Sequence, residues 1–176
     1  MMRIINDHMF INTMENYADI KQQLISEVYD APGEKSISIT KTDYFSQIGG
    51  MNQKYWQTIF PFVNDSYDRI RSYIYGDFKK SIDVEFHNVW HHIYEENSHH
   101  PYHAHPACHF SNVFYANLPS ESVITHYLNI NDIKVKEGDM ITFPGWLVHS
   151  SPKNLNKESK VVIAFNTSLN AMYIKQ

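Results

Sequence analysis

The strongest constraint on the fold is a series of short, β-prone segments in the second half of the chain. Each segment is rich in β-branched and aromatic residues, and turn-forming residues such as Asn-Asp and Glu-Gly-Asp separate them. Short strands divided by turns are typical of an antiparallel barrel or sandwich. The segments are SIDVEFHNVWHHIYEE, CHFSNVFYANLP, SVITHYLN, DIKVKEGDMITFP and SKVVIAFNTSL.

The first half of the chain shows helical periodicity instead. One apolar series predicts a helix that ends at APGEK, with Asn12 and Glu15 as a capping box. A second series predicts a longer helix, which we expect Pro61 to kink or split. Between them, SISITKTDYF alternates as a short strand does. The two series are Tyr17, Ile20, Leu24 and Val28, followed by Trp56, Ile59, Phe60, Val63, Tyr67, Ile70 and Ile74.

Helices followed by strands predict the α+β class, with two helices buttressing one sheet of a small β-barrel. We assign residues 1–80 to the helical part and residues 81–170 to the β core. A chain of 176 residues is long enough for one core and short for two, so residues 1–176 are predicted to form a single domain.

The composition excludes several classes of protein. A net charge of -4 without a basic stripe gives no general electrostatic attraction for nucleic acid. No segment approaches the length of an apolar membrane span or a signal peptide. The single cysteine, Cys108, rules out an internal disulfide. We therefore expect a cytoplasmic protein.

Histidines are concentrated in the segment HPYHAHPACH, at residues 100–109. In an extended segment His103 and His105 project to the same face, and paired imidazoles bind divalent transition metals. His149, after the apolar strand MITF and the stop Pro-Gly, is the candidate third ligand. Three protein ligands that leave open positions are typical of a catalytic metal. On the upstream strand, alternation sends His91 and His92 to opposite faces.

The order of these motifs resembles the iron(II)/2-oxoglutarate-dependent oxygenases, and most closely their small phage and bacterial branch. The resemblance covers residues 84–168. It rests on WHHIY, PYHAHP, VFYANLP, GDMITFP, a later histidine, SPKN and KVVIAFN.

The resemblance implies a double-stranded β-helix, a jelly-roll or cupin-like barrel, behind the N-terminal helices. It implies an enzyme, specifically a hydroxylase, that uses iron(II), 2-oxoglutarate and O2. His103 and His149 match two of the family's ligands, whereas His105 stands where the family has an acid. Lys160 takes the place of the arginine that anchors the co-substrate. Further co-substrate contacts would come from Tyr115, Asn112 and Asn166.

Other aromatic residues and histidines are candidates for contacts around the metal or with the substrate. They are His109, His100, Tyr102, Trp146 and Trp90. The primary substrate itself is not readable from the sequence, and small molecules, protein residues and nucleobases all stay open. A homodimer through the aromatic helices and a phage-encoded protein acting in a host cytoplasm also belong to this interpretation.

An alternative comes from the same residues. HAHPACH and GDMITFPGWLVH also approximate the two cupin motifs, with His109 where cupins have a glutamate. A three-histidine cupin protein that does not use 2-oxoglutarate, either an enzyme or a binding module, is the second hypothesis. A structural protein without metal is the third.

Overall fold

The computed structural model describes residues 1–36, 38–45 and 49–171. Two antiparallel sheets face one another, and two helices cover the outer face of the larger sheet. The helices are α1 (Tyr17–Asp30) and α2 (Lys54–Tyr75). The strands are β1 (Met2–Asn6), β2 (Met9–Thr13), β3 (Lys41–Thr42), β4 (Ile82–Tyr94), β5 (His100–His103), β6 (Phe110–Asn117), β7 (His126–Tyr127), β8 (Asp139–Pro144), β9 (His149–Ser151) and β10 (Lys160–Ala171).

The larger sheet, called the major sheet here, has the order β1-β2-β8-β6-β10-β4-β3. The minor sheet has the order β5-β9-β7. Antiparallel sheets stacked in this way form the double-stranded β-helix, which confirms the predicted α+β fold. The short minor sheet carries His100, His103 and His149, so these histidines lie between the two sheets.

Alternation along the central strands divides the core into two layers. On β10, Val161, Ile163 and Phe165 pack against the helices. The intervening Val162 belongs to the core between the sheets. Because successive side chains in a strand point to opposite faces, one strand serves both layers. The same alternation makes Lys160 a residue of the inner side.

Both helices form where the apolar series predicts them, although their details differ from the prediction. Asn12 and Glu15 do not make a capping box, because Asn12 is buried within β2 and α1 begins after Asn16. Pro61 lies inside α2 without splitting it. Phe60 and Ile74, at the margins of the predicted stripe, are exposed.

The N-terminal part is not purely helical. β1 and β2 form a hairpin, and β2 pairs with β8 from Phe10↔Thr142 to Thr13↔Asp139. In contrast, the strand predicted over residues 36–45 shrinks to β3, and its Ile37 lies outside the described residues. None of the described helices combines the length and apolarity needed to cross a membrane.

Candidate metal centre and adjoining cavities

Three histidines from two places in the chain converge at one end of the barrel. His103 ends β5 and lies opposite His149 of β9, while His105 follows two residues later. One ligand nitrogen from each ring lies within 4.8 Å of the others. The structure therefore brings together the three residues that the sequence singles out.

Backbone carbonyls orient two of these rings. His103 Nδ1 lies 2.8 Å from the carbonyl oxygen of Pro101, and His149 Nδ1 lies 2.9 Å from that of Leu147. Each carbonyl oxygen accepts a hydrogen bond from Nδ1–H. The neutral ring therefore carries its proton on Nδ1, and Nε2 is unprotonated and available to a metal. Metal-binding histidines are commonly held by a hydrogen bond of this kind.

The rings are also neutral at physiological pH. Burial lowers the pKa of His105 to about 4 and that of His149 to about 3. Burial likewise lowers the pKa of His103. A neutral imidazole is the form that binds a metal. The donor set thus fits a transition metal such as iron or zinc.

A narrow inner cavity runs from the three histidines into the barrel and reaches Lys160. The Lys160 side chain is fully buried, and its Nζ donates to Ser151 Oγ at 2.7 Å. The ammonium lies 5.2 Å from the ring centre of Tyr94 and 5.8 Å from that of Tyr115. No ion pair involves Lys160 within the described residues, and burial lowers its pKa to about 7.

A buried cation without a carboxylate partner is energetically unfavourable, because both solvation and charge pairing are missing. A bound anion at the end of the cavity would supply the missing charge. The position of Lys160 therefore fits the carboxylate of a small organic acid whose other end reaches the histidines.

The other predicted co-substrate residues differ in their surroundings. Tyr115 is buried beside Lys160 and donates its hydroxyl proton to Thr125 at 2.9 Å. Asn112 lines the inner cavity, but its amide oxygen accepts hydrogen bonds from Tyr67 and Thr142 on the helix side of the sheet. Asn166 accepts from Ser111 at 2.6 Å and does not line the inner cavity. Only Tyr115 of these three lies beside the ammonium.

The predicted substrate-facing residues also separate into two groups. His100 and Trp90 line the inner cavity, and the His100 and His103 rings stack with centroids 4.0 Å apart. Tyr102 and Trp146 are exposed and line neither that cavity nor a second, outer cavity beside it, which Tyr44 and Phe45 line. His109 is exposed and accepts the Leu169 amide proton on Nδ1, away from the three histidines.

Several residues of the site are missing from the sequence-based prediction. Ser151 follows His149 by two positions on β9, and this spacing alone could have indicated a shared face. His92 and Tyr94 follow Trp90 at every second position of β4, and all three line the inner cavity. The predicted alternation, which sends His91 and His92 to opposite faces, already places these three side chains on one face. Thr125 comes from a short segment without a recognisable pattern.

No protein-family model and no curated protein sequence matches this chain. Solved structures do match. An oxidoreductase of the 2OG-Fe(II) oxygenase family from Burkholderia pseudomallei aligns with a TM-score of 0.66 at 12% identity, over 92% of this chain and 84% of that chain. A viral collagen prolyl hydroxylase from Paramecium bursaria Chlorella virus-1, in complex with 2OG, gives 0.61 at 15% identity over 89% and 94%.

A prolyl-4-hydroxylase from Pseudomonas putida aligns with a TM-score of 0.63 at 10% identity, over 90% of this chain and 92% of that chain. Identities this low compare folds rather than activities. The structural neighbours are thus 2OG-Fe(II) oxygenases, and the chain has their double-stranded β-helix fold.

Proposed function

We propose that this protein is an iron(II)/2-oxoglutarate-dependent oxygenase, and that it hydroxylates its substrate. One observation carries the proposal: a cluster of three neutral imidazoles and a buried, unpaired ammonium line the same cavity. The neighbouring folds support it, since they include 2OG-Fe(II) oxygenases and prolyl hydroxylases.

In this proposal His103, His105 and His149 hold the metal. When bound, iron(II) would supply the redox chemistry that couples oxidative decarboxylation of 2-oxoglutarate by O2 to oxidation of the substrate. The carbonyls of Pro101 and Leu147 keep Nε2 of His103 and His149 directed to the metal.

Lys160 anchors the distal carboxylate of 2-oxoglutarate. Its ammonium provides a point charge rather than the two-pronged contact of an arginine. Ser151 holds the ammonium in place, and the rings of Tyr94 and Tyr115 flank it. Asn112 and Asn166 are committed to other protein groups, so the proposal assigns them structural hydrogen bonds.

The second candidate is a three-histidine cupin protein that does not use 2-oxoglutarate. A specific observation favours it: among the described residues, the metal cluster contains three imidazoles and no carboxylate. Many iron(II) oxygenases use two histidines and one carboxylate. Without the carboxylate, the ligands neutralise none of the charge of the metal.

An anaerobic titration of the iron(II)-loaded protein with 2-oxoglutarate separates the two candidates. Chelation of the keto acid gives a visible metal-to-ligand charge-transfer band, which we expect here and expect to be lost in His103→Ala. The His8→Ala variant is the matched control, because His8 is an exposed histidine in the β1–β2 turn. Tight iron binding without the band would favour the cupin candidate.

Lys160→Ala provides an independent discriminator. In the oxygenase it should weaken 2-oxoglutarate binding about 10–100-fold while metal binding persists. In a cupin protein it should leave ligand binding unchanged.

Cytoplasmic location, a phage origin and a homodimer stay predictions.

A further inference from the structure

An outer cavity of about 240 Å3 lies beside the inner one. Both cavities are lined by Trp90 and by four histidines, His92, His100, His103 and His105. These five residues form the boundary between the proposed co-substrate site and the outer cavity. A molecule in the outer cavity would therefore lie against the proposed metal ligands.

The outer cavity is aromatic and uncharged. Among the described residues its lining contains no Asp, Glu, Lys or Arg. Tyr44 packs edge-on against both Phe45 and Trp90, with ring centroids 5.0 and 5.1 Å apart. Tyr44 and Phe45 are nevertheless 46% and 65% exposed, so part of this aromatic surface is free to contact a ligand.

The segment that carries these two rings is anchored by a buried neighbour, Asp43. The Asp43 carboxylate accepts the hydroxyl proton of Tyr55 at 2.6 Å and the backbone amide proton of His91 at 2.7 Å. Two hydrogen bonds to one buried carboxylate hold this segment against β4. The backbone next to the two rings is therefore anchored by hydrogen bonds of Asp43 and not by burial of the rings themselves.

His92, which lines both cavities, carries a buried hydrogen-bond donor. Trp90 Nε1 can only donate, and it donates to His92 Nε2 at 2.8 Å. In the neutral ring the proton must then lie on Nδ1. That nitrogen is buried and has no partner within the described part of the chain. Buried donors are nearly always paired, so a ligand acceptor at this boundary would complete the site.

We propose that the outer cavity binds the primary substrate through an uncharged aromatic ring that carries a carbonyl acceptor, as in an aryl amide. The ring would contact Tyr44 and Phe45, and the oxygen would accept the Nδ1 proton of His92. The volume suffices, since an apolar cavity of roughly 150 Å3 accommodates benzene. An ionised group would lose its hydration without gaining an opposite charge. This substrate class rests on the proposed function.

The test uses the metal-free 176-residue chain and titrations followed by ligand-observed NMR. The probes are benzamide, benzoate, benzylamine and toluene. We expect benzamide to bind at least tenfold more tightly than the two charged probes. Benzoate can also reach Lys160, so the comparison is repeated in Lys160→Met. If either charged probe still binds as tightly as benzamide there, the inference is overturned.

Two variants locate the binding site. Phe45→Ala, at an exposed ring that the fold does not require, should weaken benzamide binding about tenfold. Phe78→Ala removes a similarly exposed ring elsewhere and should have no effect. Equal affinities in the two variants would contradict the assignment. His92→Phe removes the donor to the ligand oxygen, so benzamide should then bind no more tightly than toluene. The change also removes the acceptor of Trp90 Nε1, and unchanged toluene binding shows that the cavity itself is intact.

The outcome is independent of the metal. If benzamide binds as expected but no metal binds, the proposed function fails and the ligand site stands. If the metal and 2-oxoglutarate bind but benzamide does not, the proposed substrate class is wrong and the oxygenase proposal stands.

Discussion

His103 lies directly opposite His149 across the β5–β9 pair, with ring centroids 4.3 Å apart. If these rings bind a metal, zinc should stabilise the fold as a redox-inert probe. Zinc at about 100 times its Kd would raise the free energy of unfolding by about 2.7 kcal/mol. For a chain of this size, that corresponds to a Tm increase of about 5–11 °C in calorimetry.

Replacing either ring by alanine should remove this increase. His103→Ala and His149→Ala each eliminate one of three ligands, whereas His8→Ala leaves all three. A zinc-induced Tm increase that survives in His149→Ala would place the metal elsewhere.

His105→Asp should convert the site to two histidines and one carboxylate. The added negative charge partly neutralises the metal, so we expect iron(II) affinity to rise roughly tenfold or more. His109→Asp, outside the cluster, is the matched control. Competition titrations with a coloured chelator give both affinities, and equal responses of the two variants would show that residue 105 is not a ligand.

The affinity for 2-oxoglutarate should depend on pH through Lys160, whose pKa burial lowers to about 7. Below pH 7 the lysine is charged before and after binding, so the affinity is constant. Above pH 7 binding requires uptake of a proton, because the bound carboxylate favours the charged lysine. The affinity should then fall by up to tenfold per pH unit.

Lys160→Arg keeps its charge throughout this range and should abolish the pH dependence. Lys160→Met should bind 2-oxoglutarate about 10–100-fold more weakly at pH 7, from loss of a charged hydrogen bond. Isothermal titration calorimetry in buffers of different ionisation enthalpy counts the protons that are taken up when 2-oxoglutarate binds. A pH dependence that persists unchanged in Lys160→Arg would assign the titration to another group.

Gly145 lies where the loop carrying His105 crosses the end of β8. A Cβ at this position would lie 2.5 Å from the carbonyl oxygens of both His105 and Cys108, closer than atoms can pack. Gly145→Ala must therefore displace this loop. We expect metal affinity to fall about 10–100-fold, as it does when groups that support a ligand are lost.

Gly138→Ala is the comparison for a purely structural effect. Gly138 has a φ of 80°, and a Cβ there would lie 2.6 Å from Tyr17 Cβ. The strain should destabilise the fold by about 1–3 kcal/mol without changing the metal affinity of the folded protein. Chemical denaturation and zinc titration of both variants measure the two effects separately. Equal metal affinities in the two variants would leave no role for Gly145 in placing His105.

Local patterns in the sequence determined the helices and most of the strands, because periodicities of 3.6 and 2 report which face of an element is buried. They also indicated the candidate metal ligands, since His103, His105 and His149 stand in recognisable contexts and lie together in the structure. The alternation of side chains along β6 also bears on the predicted co-substrate residues. Asn112 and Tyr115 are three residues apart on one strand, so their side chains point to opposite faces of the sheet.

Only the tertiary structure decided which segments meet. The β1–β2 hairpin joins β8 through pairings such as Phe10↔Thr142, between segments far apart in the sequence, and no local pattern specifies such a partner. The burial of Lys160 without a counter-charge has the same origin, since burial depends on the surrounding elements and not on neighbours in sequence. Tyr44 lies on Trp90 because Asp43 is held by Tyr55 and His91. Contacts between distant segments are set by packing of the whole chain, which is why a sequence read locally cannot supply them.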